Sequence, residues 1–159
     1  MINLDQQTDI NYDELYKIVT KNHQEFANLI KLFRSANPDL KIKIGGDPEM
    51  QLGGIVPGKF HPKTNTLTLY NGCDVYTIIH ELAHSATFFG IFGKSEESEE
   101  FSKKIETFMN YIRKYISDNK LNPGLFSPHT IMGASLPAEI YGFTNESEFI
   151  AELYGNPSF

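Results

Sequence analysis

Two histidines four positions apart, with a glutamate directly after the first, are the residues best suited to chemistry. They are His80, Glu81 and His84, in the run His-Glu-Leu-Ala-His. On a helix, residues four apart share one face, so both imidazoles can bind one metal ion at about 2.0–2.1 Å. Glu81 is rotated by about 100° from His80, so it can reach a water on that ion. The spacing therefore predicts a zinc site with Glu81 as general base.

A zinc ion held in this way supports the hydrolysis of peptide bonds. Zinc lowers the pKa of its bound water to about 7 and polarises the scissile carbonyl, while a carboxylate takes the proton and returns it to the leaving amine. We therefore expect a zinc-dependent endopeptidase that acts by a metal-activated water. It would be a hydrolase with a peptide or protein as substrate and Zn2+ as cofactor.

A catalytic zinc site needs a third protein ligand and one open position. The metzincin pattern is excluded, because Thr87 and Gly90 stand where it requires glycine and histidine. His129 is one candidate, but it lies in a predicted loop without a helical partner to orient its ring. Glu148 and Glu152 are four apart on a short, largely apolar helix, where two like charges need a compensating cation or hydrogen bonds. A zinc–histidine cluster would supply that cation; the alternative is that both acids form the solvated side of a terminal helix.

The stretch from Tyr141 to Glu152 reads Tyr-Gly-Phe-Thr-Asn-Glu-Ser-Glu-Phe-Ile-Ala-Glu. Together with the His80–His84 run, it resembles the catalytic domain of anthrax toxin lethal factor and its relatives, which include metallopeptidase domains of phage large polyvalent proteins. These are gluzincins, in which a Tyr-Gly-x-Thr-Asn-Glu-x-Glu-Phe-x-Ala-Glu run follows the zinc helix. Over residues 39–70 the likeness is general: a small zincin-like sheet whose edge strand could pair with an extended substrate.

The resemblance implies roles for three residues. Glu148 would be the third zinc ligand. The phenol of Tyr141 would point at the oxyanion of the tetrahedral intermediate. Glu152 would hydrogen-bond a ligating histidine and fix its tautomer.

Two other functions stay open. One is a catalytically silent zinc-binding interaction module of a toxin-like or phage-associated protein, which would have no use for Glu81 as a base or Tyr141 as a donor. The other is a purely structural helical domain, in which a chelator would change neither the melting temperature nor the shape.

Several elements must position these residues. Apolar positions recur at helical spacing from about Asn11 to Ser35, which predicts one long amphipathic helix with a capping pair at Asn11 and Glu14. A strand over 40–44 and a hairpin of 55–61 with 66–70 are predicted next. A helix capped by Asp74 then carries the His80 motif and ends at Gly90 or Gly93, and a second helix begins at Ser95, with a core stripe of Phe101, Ile105, Phe108, Ile112 and Ile116. A loop over 124–143 leads to a last helix, which is capped by Thr144 or Asn145 and ended by Gly155.

These elements predict an α+β fold. We expect a small zincin-like domain, mostly helical, with a short mixed or antiparallel sheet packed on the zinc-motif helix. The 159 residues and the 40% hydrophobic fraction suit a single metallopeptidase-like domain over residues 1–159, whether it is a whole protein or a piece of a longer one.

Charge and cysteine content narrow the classes of partner. The formal charge of −6 and the scattered lysines disfavour nucleic acid, and the one cysteine, Cys73, allows neither an intrachain disulfide nor a cysteine-based zinc cluster. Neither a signal peptide nor an apolar run of membrane-spanning length is visible. We therefore expect no membrane partner and a cytoplasmic location by default, with injection or secretion by a route without a signal peptide left open. The oligomeric state is open too.

Overall fold

The computed structural model describes residues 3–52, 54–92, 95–118, 128–131, 134–137 and 146–156. Within them the fold is α+β and mostly helical, as the sequence predicts. In chain order the elements are β1 (Thr8–Ile10), α1 (Tyr12–Thr20), α2 (Ala27–Ala36), β2 (Lys41–Ile44), β3 (Glu49–Gln51), β4 (Gly54–Val56), β5 (Gly58–His61), β6 (Thr66–Leu69), α3 (Val75–Phe92), α4 (Glu96–Asp118), β7 (Pro128–Ile131), β8 (Ala134–Pro137) and α5 (Glu146–Gly155).

The main sheet is mixed and has the strand order β1-β2-β6-β5. β1 pairs with β2 and β5 pairs with β6 in antiparallel fashion, whereas β2 and β6 are parallel. The predicted strand over 40–44 is confirmed, and so is the pairing of residues 58–61 with β6. The predicted hairpin strand over 55–61 is divided, however, because β4 pairs with β3 in a separate two-stranded sheet. Sequence patterning missed β1, because three largely exposed residues carry too little alternation to signal a strand.

One predicted element is wrong: the helix over 11–35 is not continuous. α1 ends at Thr20, a turn of 3-10 helix covers Gln24–Phe26, and α2 follows. The helical phase of the buried Leu15 and Val19 would bring Asn22 and His23 to the core, and both are polar. Both instead donate their backbone N–H groups to the Val19 carbonyl, which closes α1.

The start of α1 agrees with its prediction. Asn11 Oδ1 accepts the Glu14 N–H at 2.9 Å, and Glu14 Oε2 accepts the Asn11 N–H at 2.8 Å, which is a complete capping box. α3 begins as expected as well, since the carboxylate of Asp74 accepts the Thr77 N–H at 2.7 Å. α3 runs through Gly90 to Phe92, just before the second predicted stop.

Two further expectations are corrected. On α4, Ile105 of the predicted stripe packs against the buried Met109, but Phe101 and Phe108 are exposed, and the side chains of Ile112 and Ile116 lie outside the described part of the chain, so the stripe is confirmed only at Ile105. The segment expected to be a loop contains the hairpin of β7 and β8, in which His129 pairs with Leu136. Its high proline and serine content hid two short strands.

α3 packs on the main sheet and anchors the core. Its residues Ile78, Ile79, Leu82 and Ala83 are buried and belong to the same cluster as the inward side chains of β2 and β6. Burial of this face fixes the rotation of α3 about its axis, and therefore the direction in which His80 and His84 point. In the part of the chain that the structure describes, no helix is both long enough and apolar enough to cross a membrane.

Candidate metal centre

The site forms where α5 packs against α3, and a glycine sets how close the two helices come. A Cβ on Gly155 would lie 2.9 Å from the backbone N and the Cβ of His80 and 3.0 Å from its Cα, which is closer than real contacts allow. Only glycine fits this position without moving a backbone. The contact brings the polar side of α5 against the two histidines, while Phe149, Ile150 and Ala151 are buried.

Three side-chain atoms meet between the helices. The Nε2 atoms of His80 and His84 are 3.0 Å apart. Glu148 Oε2 lies 3.4 Å from the first and 3.3 Å from the second. Zinc bonds of about 2.0–2.1 Å in a tetrahedron place neighbouring ligand atoms about 3.3 Å apart, so this triangle fits the spacing of a tetrahedral zinc site.

Glu81 stands on the other side of the cluster, against the edge strand β5. Its carboxylate oxygen and the ring nitrogens of His80 and His84 lie within 4.8 Å of one another, and this group could hold a metal ion. Its backbone neighbour on β5 is Phe60, which opposes the rise in pKa that burial gives Glu81. Gly58 lies beside it, and a Cβ there would be in ordinary contact with Glu81 Cγ at 3.5 Å.

The protonation of the cluster follows from its burial and its charges. Burial raises the pKa of Glu81, and the two imidazoles oppose that shift. Burial alone would lower the pKa of His80, but hydrogen bonds to Glu148 and Glu152 outweigh it and hold the pKa at about 10. Burial likewise tends to raise the pKa of Glu148, yet the hydrogen bonds to both histidines lower it well below its usual range. Three carboxylates thus surround two imidazoles, an excess of negative charge that a divalent cation would compensate.

Glu152 lies behind His80 and is completely buried. Its Oε1 is 3.1 Å from His80 Nδ1, on the side of the ring opposite the ligand triangle. Its Oε2 accepts a hydrogen bond from the Asn156 side-chain amide at 2.7 Å. One oxygen is therefore held by a hydrogen bond and the other lies at ion-pair distance from the His80 ring, and the carboxylate sits where the resemblance implies an acid that orients a ligating histidine.

One residue of the site was missed from the sequence. Ser147 Oγ lies 2.7 Å from His84 Nδ1, and the side chain is buried. A signal was available, since Ser147 shares the buried face of α5 with Ile150 and Ala151, where a hydroxyl needs a polar partner.

The structure thus brings together His80, Glu81, His84, Glu148 and Glu152. Tyr141, the expected oxyanion donor, lies outside the described residues, and His129 lies in β7 rather than in a loop. Two imidazoles and a carboxylate in a triangle, with a second carboxylate beside them, are suited to holding a metal ion and moving a proton.

Searches against family models, curated proteins and solved structures found no match to this chain.

Proposed function

We propose that this chain is a zinc-dependent endopeptidase of the gluzincin kind, with His80, His84 and Glu148 as metal ligands. The observation that carries the proposal is the triangle of ligand atoms with edges of 3.0–3.4 Å. Glu148 is preferred to Glu81 as the third ligand, because one of its oxygens completes this triangle. Glu81 instead lies against β5, beside Gly58, where it can reach a water on the ion. The excess of carboxylates favours a divalent cation in the cluster.

The residues of the chain have separate tasks in this proposal. When bound, zinc lowers the pKa of a water to about 7 and polarises the scissile carbonyl. Glu81 accepts the proton of the attacking water and returns it to the leaving amine, and burial brings the pKa of Glu81 closer to neutral, which suits a general base. Tyr141 is proposed, on the resemblance alone, to donate to the oxyanion.

The edge strand β5 offers a place for an extended peptide. The Tyr70 N–H bonds to the Pro57 carbonyl, so the ladder between β5 and β6 continues through Lys59 and His61. The backbone groups of Gly58 and Phe60 therefore point away from β6, beside Glu81. A peptide paired along this edge would lie next to the general base, which supports a peptide rather than a small ester as substrate.

The test combines zinc content with cleavage of a peptide library. We expect the purified chain to bind one zinc ion and to cleave peptides. Glu81→Gln should keep the zinc but lower the turnover by at least about 10²-fold, because only the proton carrier is lost. Glu148→Gln should lose zinc affinity, and Glu106→Gln, an exposed residue on α4, serves as the matched control.

The outcomes separate the competing functions. Wild-type protein that binds no zinc would contradict the proposal altogether. Zinc binding without cleavage of any peptide, and with no effect of Glu81→Gln, would favour the catalytically silent zinc-binding module.

A further inference from the structure

We infer that Ser147 is a positioning residue for the metal ligand His84, because its hydroxyl oxygen accepts the Nδ1–H of that ring. The inference rests on the proposed function, since it concerns how the same metal is held. Ser147 Oγ lies 2.7 Å from His84 Nδ1 and the residue is only 7% exposed, so water does not readily replace it as the partner.

The two nitrogens of His84 face different partners. Nε2 points into the ligand triangle, 3.0 Å from His80 Nε2 and 3.3 Å from Glu148 Oε2, while Nδ1 points at Ser147. A ligating imidazole is neutral and carries its one hydrogen on the nitrogen that does not bind the metal. That hydrogen is therefore on Nδ1, and it needs an acceptor.

α5 serves both histidines in this way, with different chemistry for each. The helices run antiparallel, since Ser147 meets His84 while Glu152 meets His80. His80 has a carboxylate behind it, which raises the basicity of the ring, and His84 has a neutral hydroxyl. One hydroxyl and one carboxylate orient both rings with a single added negative charge, so the buried cluster avoids a fourth carboxylate.

A purely structural serine makes a different prediction. If Ser147 merely fills space in the first turn of α5, its loss changes stability and leaves the His84 ring unaffected. If it accepts from Nδ1, its loss frees the ring to rotate and to change tautomer, and metal affinity falls. Affinity for zinc and the state of the His84 ring therefore distinguish the two roles.

The experiment measures zinc affinity by competition with a chromophoric chelator, for the wild type and Ser147→Ala. We expect affinity about 10–100-fold weaker in Ser147→Ala. The control is Ser85→Ala, a buried serine on α3 whose hydroxyl donates to the Leu82 carbonyl at 2.7 Å, and its affinity should stay within about twofold of the wild type. In the zinc-loaded wild type, nitrogen-15 NMR should show the His84 Nδ1–H protected from exchange, and this protection should be lost in Ser147→Ala.

A second pair of variants keeps the test sharp if Ser147→Ala folds poorly. Ser147→Thr and Ser147→Val have the same shape and differ in the hydroxyl, so threonine should bind zinc about tenfold or more tighter than valine. Equal affinity for this pair, or wild-type affinity with an unchanged His84 Nδ1–H in Ser147→Ala, overturns the inference and leaves the proposed function intact. Wild-type protein that binds no zinc overturns both.

Discussion

Replacement of Gly155 by alanine tests whether the close approach of α5 to α3 sets the geometry of the site. The added Cβ would lie 2.9 Å from the backbone N of His80, whereas ordinary contact begins at 3.4 Å. The two helices must therefore separate by about 0.5 Å, from 3.4 − 2.9. Backbone atoms cannot rotate away as the end of a side chain could, so the whole of α5 has to move.

Two opposing contributions decide the sign of the change in stability. Without a close neighbour, alanine is favoured over glycine in a helix by about 0.5–1 kcal/mol. Overpacking costs about 1–3 kcal/mol. With about 2 kcal/mol for the overpacking and about 0.75 kcal/mol for the helix preference of alanine, Gly155→Ala should be less stable than the wild type by about 1 kcal/mol. The same movement carries Glu148 away from His80 and His84, so zinc affinity should fall by about tenfold or more.

The assay is urea unfolding of the zinc-stripped protein, followed by circular dichroism, together with zinc competition. Leu153→Ala serves as the control, because Leu153 is half-exposed on the same helix and its loss does not push on α3. We expect this control to keep its zinc affinity. A Gly155→Ala variant that is more stable than the wild type and binds zinc equally well would refute the reasoning, since only helix propensity would then be at work.

Three further outcomes are expected. Burial raises the pKa of the Cys73 thiol to about 12, so this thiol should resist Ellman's reagent at pH 8 in folded protein and react fully in denaturant; reaction of the folded protein would contradict its burial. In zinc-stripped protein, the raised pKa of His80 stabilises the folded state fully below pH 6.5, and this stabilisation is lost as the pH rises toward 10. The lowered pKa of Glu148 stabilises the folded state above pH 4.5, and this stabilisation is lost in acid. Urea midpoints should therefore fall from pH 6 to pH 10, and Glu148→Gln should flatten that fall. Asn37→Ala removes a buried amide that exchanges hydrogen bonds with Asn65 at 2.7 and 3.0 Å, so unfolding should cost about 2–4 kcal/mol less while zinc affinity stays unchanged.

The half of the site on α3 could be predicted from the sequence because it depends on local geometry. His80 and His84 face one way on any helix, and Asp74 starts that helix by bonding the N–H of Thr77 three residues later. The same holds for the box formed by Asn11 and Glu14. In each case the partners are within four residues of each other, so chain connectivity alone brings them together.

The broken first helix shows where local reasoning stops. Leu15 to Phe33 carry an apolar stripe of helical period, but the residues in phase with the core midway along it are Asn22 and His23. Whether the chain buries two polar side chains or breaks the helix depends on what they would be buried against. The sheet and the neighbouring helix decide that, and they come from elsewhere in the chain.

The half of the site on α5 was decided by tertiary structure. The acids at positions 148 and 152 were visible as a helical pair, but their neighbours in sequence do not reveal that one oxygen of Glu148 lies between two rings more than sixty residues earlier. That depends on the antiparallel docking of α5, on the missing side chain of Gly155, and on Ser147 as the partner of His84. The sequence by itself determined which residues can bind a metal. The packing of two helices that are distant in sequence determined which of these residues meet. Separations of about 3 Å are set by contacts between whole elements and not by the conformational preferences of single residues.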